Sequence, residues 1–217
     1  MSERIRISSD VHAANDLIAR QNRALLKGKN VSALNMIGSP GSGKTSILER
    51  MAARMGAPLA VITGDIQTTF DADRLTRAGA SAVQIETGGA CHLTAAMVQK
   101  ALRGLDLDDK KLLVIENVGN LVCPAAFDLG EDRKIAVLSV AEGDEKPAKY
   151  PALFTRASVV LVNKIDLLPY VNFSIDRVRK DCCTLNQDIK IFPLSCTTGE
   201  GFEAWMEYCI RLESKKG

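Results

Sequence analysis

Aromatic residues are scarce in this chain of 217 residues: they make up 5% of it, with a single tryptophan. Its core must therefore rest on aliphatic side chains. No apolar stretch approaches the roughly 18 residues needed to span a membrane. The N-terminus, Met1-Ser2-Glu3-Arg4-Ile5-Arg6, lacks the apolar segment of a secretory signal. Neither export nor a membrane partner is expected. One-sided charge is missing too, with 28 Lys+Arg against 26 Asp+Glu for a net +2 and no polybasic run, so nucleic acid is not expected as a partner. Internal repeats and low-complexity tracts are absent. Six cysteines in a chain of this length, with no leader, do not form a secreted disulfide framework. They imply a reducing, cytoplasmic setting, where thiols serve as core residues or metal ligands.

What is present is ordinary for a folded chain: 46% hydrophobic and 25% charged residues exclude disorder throughout. The length is about 1.4 times the usual prior for one domain, which suits one domain with an extension. Residues 1–30 read as a helical extension, capped by Asp10, running through Leu17, Ile18, Leu25 and Leu26, and stopped near Gly28. From residue 31 to 217, short Val/Ile/Leu-rich runs alternate with helical stretches. Strands are expected at 33–37, 59–63, 82–86, 112–116, 135–140, 159–162 and 191–194. Helices are expected at 45–55, 72–78, 93–102, 147–155, 175–185 and 202–212. That alternation predicts an α/β fold with a mostly parallel central sheet covered by helices on both faces. The stretch 118–134, with Gly119, Cys123, Pro124 and Gly130, fits no element, and a loop that long is often functional.

Directly after the first strand stands Gly38-Ser39-Pro40-Gly41-Ser42-Gly43-Lys44-Thr45, followed by Ser46. This is the P-loop pattern G-x-x-x-x-G-K-[ST]. Its glycines let backbone N–H groups ring the phosphate oxygens, and the next helix adds its positive end. Lys44 is expected on the β- and γ-phosphates and the Thr45 hydroxyl on Mg²⁺. Two carboxylates end later strands on the same sheet edge: Asp65 in Thr63-Gly64-Asp65 and Glu116 in Val114-Ile115-Glu116. Both are expected at the nucleotide–Mg²⁺ site, with the Gly119 N–H offered to a γ-phosphate. Asn163-Lys164-Ile165-Asp166 ends another strand. A carboxylate at Asp166 can accept from guanine N1–H and the 2-amino group, donors that adenine lacks at that edge. Asn163 is expected at the other base edge, the Lys164 stem over the ring, and Ser195-Cys196-Thr197 closing over the base with backbone N–H groups.

One of only two histidines adjoins a cysteine in Gly88-Gly89-Ala90-Cys91-His92-Leu93, and Cys123 lies in Asn120-Leu121-Val122-Cys123-Pro124. Both segments follow strands, so both should reach the phosphate rim. Two thiolates and an imidazole suit Zn²⁺ or Ni²⁺, with remaining ligands from water, a backbone nitrogen or a second copy of the chain. The competing reading makes them buried thiols and a helix-starting histidine. Cys182, Cys183, Cys196 and Cys209 read as packing residues.

With these residues together, the chain resembles the hydrogenase nickel-incorporation GTPases of the HypB family. The resemblance rests on Asn15-Asp16 with Asn22-Arg23, the P-loop, Gly64-Asp65-Ile66-Gln67-Thr68, Gly88 to Leu93, Glu116 to Pro124, and Asn163 to Asp166. It implies a slow GTPase acting as a switch, in which hydrolysis of GTP to GDP rearranges a Cys91/His92/Cys123 site. It further implies a GTP-dependent homodimer, the nickel metallochaperone HypA as partner, and the [NiFe]-hydrogenase large subunit precursor as acceptor. Many family members carry an N-terminal cysteine cluster or a His-rich store, whereas the first 37 residues here contain no cysteine and only His12. N-terminal capture or storage of metal is therefore not expected. The alternatives are a related GTPase serving urease or a cobalt centre, and a zinc-regulatory or metal-binding module with vestigial GTPase activity. No arginine finger or glutamine stands out to position the attacking water.

Overall fold

A computed structural model describes residues 7–65 and 70–213. Its strands are β1 (Ser32–Gly38), β2 (Leu59–Asp65), β3 (Ser81–Glu86), β4 (Leu112–Glu116), β5 (Arg133–Ser139), β6 (Ala157–Asn163) and β7 (Lys190–Pro193). They form one seven-stranded sheet in the order β3-β2-β4-β1-β5-β6-β7, with every pairing parallel. The chain builds outward from β1 in one direction and then, after β4, in the other. Such a reversal opens a crevice at the carboxyl ends of the strands, where ligands of open α/β sheets bind.

The helices are α1 (Ile7–Gly28), α2 (Lys44–Met55), α3 (Phe70–Arg77), α4 (Ala95–Leu102), α5 (Cys123–Ala126), α6 (Lys146–Lys149), α7 (Pro151–Arg156), α8 (Ile175–Leu185) and α9 (Phe202–Glu213). Alternation along β1 shows how they cover the sheet. Leu34 and Met36 face a core made with Ile47, Leu48 and Met51 of α2 and Trp205 and Met206 of α9. Ala33 and Ile37 face the opposite side, where Leu26 of α1 and Val98 of α4 fill one half, and Phe154 of α7 and Val178 of α8 fill the other. Burial on both faces explains why the strands read as continuous apolar runs.

Local corrections have local causes. Helix α1 is already under way at Ile7, so Asp10 lies inside it rather than capping it. Leu17 and Leu25 are exposed on that helix, and Leu26 is buried. The helix expected at 147–155 is two short ones, because Pro151 has no N–H to donate and steers Tyr150 out of the helical region (φ −125°, ψ 53°). Helix α4 starts at Ala95, capped by the Thr94 hydroxyl accepting from the Met97 N–H at 3.3 Å, which leaves Cys91 and His92 in a loop. The loop 118–134 contains the single turn α5, started by Pro124, and gives way to β5 at Arg133. Among the described residues no helix is long and apolar enough to cross a membrane.

Candidate nucleotide and metal sites

The loop from Gly38 to Gly43 joins the end of β1 to α2. Gly43 takes the left-handed conformation at φ +92°, and a Cβ there would sit 2.2 Å from Asn163 Nδ2. The Asn163 amide donates to the Ser42 carbonyl at 2.9 Å, and its oxygen accepts from the Lys164 N–H at 2.8 Å. Asn163 thus ties the end of β6 to the P-loop. Lys44 Nζ donates to the carbonyls of Gly38 and Ser39 at 3.3 and 3.2 Å. The lysine thereby lies along the loop that would hold the phosphates. Ser46 follows in the first turn of α2.

Beside the loop is a cavity of about 290 Å³ whose lining includes Pro40, Gly41, Lys44, Thr45, Asp71, Glu116 and Gly119. The Thr45 hydroxyl donates to Glu116 Oε1 at 2.9 Å and lies 3.5 Å from Asp71 Oδ2. Glu116 is buried at the end of β4. Gly119 packs on the P-loop: a Cβ there would come within 2.7 Å of Pro40 Cγ and 3.0 Å of Pro40 N. Asp65 ends β2, and its side chain lies outside the described residues. Asp71 escaped the reading of the sequence, because an acid in the first turn of a helix is ordinary on grounds of the helix dipole alone.

At the far end of the rim, the Ser195 hydroxyl donates to Asp166 Oδ1 at 2.5 Å and accepts from the N–H groups of Thr197 and Thr198 at 3.1 Å each. One buried hydroxyl therefore orients the carboxylate and shapes the loop, so the Thr197 N–H is engaged within the loop. Lys164 Nζ donates to the Gly41 carbonyl at 2.8 Å, laying its stem between the two loops. The Cys196 thiol is half-buried, and burial pushes it up to about 11.

The thiols and the histidine come together. The ligating atoms of Cys91, His92 and Cys123 all lie within 4.8 Å of one another, with Cys91 exposed and the other two half-buried. Cys91 Sγ is 3.5 Å from His92 Nδ1. A hydrogen bond with Cys123 holds the exposed Cys91 thiol above its ordinary value. Burial lowers His92, with the nearby charge of His12 acting in the same direction. The His92 ring stacks on Phe127 at 4.0 Å between centroids, and His12 of α1 meets Phe127 at 4.8 Å. Of the other cysteines, Cys182 and Cys209 are buried in the core, burial pushing Cys182 up to about 12. Cys183 is exposed rather than packed, because it falls on the outer face of α8.

Helix α1 holds the Cys91-His92 loop and the segment after Cys123 side by side. Asn15 accepts from the Ala95 N–H at 2.9 Å and donates to the Asp128 carbonyl at 2.8 Å. Asn22 Nδ2 donates to the carbonyls of Ala95 and Leu129 at 2.9 and 3.0 Å. Arg23 pairs with the Asp128 carboxylate at 2.7 Å. Ala95 follows the Cys91-His92 loop, and Asp128 and Leu129 follow Cys123, so each asparagine bridges both halves of the cluster.

Residues 32–193 match the family model described as CobW/HypB/UreG, nucleotide-binding domain. The chain is 47% identical over 212 residues to hydrogenase maturation factor HypB of Escherichia coli (strain K12), spanning 96% of this chain and 73% of that protein. It is similar in structure to HypB from Helicobacter pylori, solved in complex with nickel, with a TM-score of 0.90 and 38% identity, covering 93% of this chain and 96% of that one. HypB from Archaeoglobus fulgidus gives a TM-score of 0.86 at 36% identity, covering 93% and 99%.

Proposed function

We propose, for a chain that belongs to the CobW/HypB/UreG family and within it to the HypB hydrogenase maturation factors, a role as a GTP-hydrolysing metallochaperone that assists Ni²⁺ insertion into [NiFe]-hydrogenase. The observation that carries this reading is the convergence of Cys91, His92 and Cys123 beside a P-loop cavity. Residues 31–217 form the GTPase domain in this reading, and residues 1–30 its helical extension. The oxygen donors around Thr45 fit Mg²⁺, a hard ion that takes carboxylate and hydroxyl ligands. Thr45, Glu116 and Asp65 would hold it, with Asp71 at hand, and bound there it supplies positive charge beside the β- and γ-phosphates. Lys44 leaves the carbonyls of Gly38 and Ser39 for phosphate oxygens, while the N–H groups of the P-loop through Ser46 surround them. Gly119 offers its N–H to the γ-phosphate. Asp166 selects guanine, oriented by Ser195 and flanked by Lys164, Cys196 and Thr197.

Nickel is the cargo of this reading, and the same donor set accepts Zn²⁺. Three donors leave the shell incomplete, and a second copy of the chain completes it across a two-fold axis in a GTP-dependent homodimer. The loop that starts at Glu116 carries both Gly119 and Cys123, so a change of phosphate state moves a metal ligand. Hydrolysis then releases the loop and lets nickel pass to the large subunit precursor in the cytoplasm, with HypA as the nickel-delivering partner. The test is a titration of Ni²⁺ into metal-free protein with GDP and with a non-hydrolysable GTP analogue. A nucleotide-dependent affinity, abolished in Cys123→Ala, is expected. Equal affinities in both states would refute the switch.

A further inference from the structure

The metal donors sit on two loops, and only Cys123 follows the phosphate-facing Gly119 along the chain. Cys91 and His92 belong to the loop after β3, an edge strand separated from the P-loop strand β1 by β2 and β4. A side chain inside the Glu116–Gly119 segment bridges that gap. Asn117 is 1% exposed, and its backbone N–H donates to the Met36 carbonyl at 2.9 Å. Its side-chain oxygen accepts two N–H groups at once, from Leu93 at 3.1 Å and from Val118 at 3.0 Å. Leu93 is the residue after His92.

The amide is anchored from behind. Asn117 Nδ2 donates to Asn35 Oδ1 at 3.2 Å, and Asn35 Nδ2 donates to Glu131 Oε1 at 3.2 Å. Glu131 in turn accepts from the Leu129 N–H at 2.7 Å and from Lys134 Nζ at 2.6 Å. Leu93 is packed as well as bonded, its buried side chain lying against Gly64 at the end of β2, where a Cβ would come within 2.8 Å of it. Two accepted bonds fill the lone pairs of the amide oxygen. Val118 and Leu93 share that one acceptor, so a displacement of the segment between Glu116 and Gly119 is felt at Leu93.

We infer that Asn117 is the positioning residue that transmits nucleotide state to the Cys91-His92 half of the metal site. The inference rests on the GTP–metal coupling proposed above, and it names a second path beside the covalent one through Cys123. An aliphatic residue in place of Asn117 removes the acceptor that Leu93 and Val118 share. Asn117→Asp keeps the acceptor but replaces the donor to Asn35 with a charge.

The test compares Ni²⁺ affinity with GDP and with a non-hydrolysable GTP analogue in the wild type, Asn117→Ala and Asn117→Asp. A wild-type ratio in the range of about 5- to 150-fold is typical of such coupling. For Asn117→Ala the ratio is expected to fall at least about twofold below the wild-type value without reaching one, since the covalent path through Cys123 remains, whatever happens to the separate affinities. A purely structural role would weaken both affinities and leave their ratio intact. Asn117→Asp is expected to retain more of the ratio than Asn117→Ala. A wild-type ratio of one sinks the coupling reading itself. A coupled wild type with an undiminished ratio in Asn117→Ala overturns this inference alone. Should Asn117→Ala not fold, NMR of the wild type decides: the Leu93 and Val118 amide resonances are expected to shift together between nucleotide states. A Leu93 amide that stays put while Val118 moves overturns the path.

Discussion

Replacing Gly130 with alanine tests whether the N-terminal helix is a strut for the metal loops. Gly130 has φ +98°, and a Cβ there would stand 2.6 Å from Asn22 Cβ, 2.7 Å from the Ala19 carbonyl oxygen and 3.0 Å from the Arg23 N–H nitrogen. Two of those three atoms are helix backbone, so relief requires α1 to move as a body. The left-handed backbone costs about 1–2 kcal/mol for a residue with a Cβ, and the overpacking adds about 1–3 kcal/mol. Their sum, about 2–5 kcal/mol, is a large part of the roughly 5–15 kcal/mol that keeps a domain folded. For a chain of this size it lowers Tm by about 4–20 °C. As α1 lifts, Asn15 and Asn22 release Ala95 on one loop and Asp128 and Leu129 on the other. Ni²⁺ affinity is therefore expected to fall by more than about tenfold, some 1.4 kcal/mol, while GDP affinity changes far less. Thermal melts and paired titrations of Ni²⁺ and GDP read both effects. Gly28→Ala is the control, since a Cβ there has nothing within 4 Å, and it should leave Tm unchanged or raise it. A Gly130→Ala protein within 1 kcal/mol of the wild type, taken as about the smallest clear difference, would refute the strut, as would equal losses of nickel and GDP affinity.

Other outcomes follow from single contacts. Asp166→Asn turns one acceptor oxygen into a donor facing the guanine 2-amino group, so GDP affinity is expected to fall by about a hundredfold. Xanthosine diphosphate, with an oxygen at that position, should bind the variant better than GDP does, and a preference still for GDP would contradict the base assignment. Trp205 is fully buried against Met51 and stacks with Tyr208, so Trp205→Ala should lose about 3–5 kcal/mol in urea unfolding; a loss under 1 kcal/mol would show that the core closes around the gap. Metal binding displaces protons from thiols, and Cys91 is held above its ordinary value by its bond with Cys123. Ni²⁺ affinity should thus keep rising with pH past the range in which an ordinary thiol loses its proton. A plateau near neutrality would mean that Cys91 does not ligate as a thiolate.

Much of the fold was legible because its signals are local. A strand buried on both faces reads as a nearly continuous apolar run, as 112–115 of β4 and 159–162 of β6 do. The P-loop is contiguous, so its chemistry lies on one line of sequence. The thiols were legible as candidates, since both segments follow strands of a parallel sheet and must emerge on one rim. Their closeness was not legible, because it depends on how far two loops bend back from that rim. Asp71, Phe127 and Asn117 were missed for a related reason. What each does is set by a partner far along the chain, as when the Asn117 oxygen meets the Leu93 N–H.

Helix α1 shows how a correct element can carry the wrong face. Its leucines at 17 and 25 invite docking through an apolar stripe, yet they are 53% and 48% exposed. The buried stripe is Asn15, Ala19, Asn22 and Leu26, spaced as one face of a helix. Half of that stripe is amide: Asn15 uses both its oxygen and its nitrogen, and Asn22 donates twice through its nitrogen while its oxygen has no partner among the described residues. A leucine stripe tolerates sliding along its groove, since dispersion contacts are non-directional. Asparagines bonded to the Ala95 N–H and to the Asp128 and Leu129 carbonyls admit a single register. A helix that bridges the Cys91-His92 loop and the segment after Cys123 through these bonds is held in that register by them. Its buried face is accordingly polar where the two loops meet and apolar at Leu26, nearer the sheet.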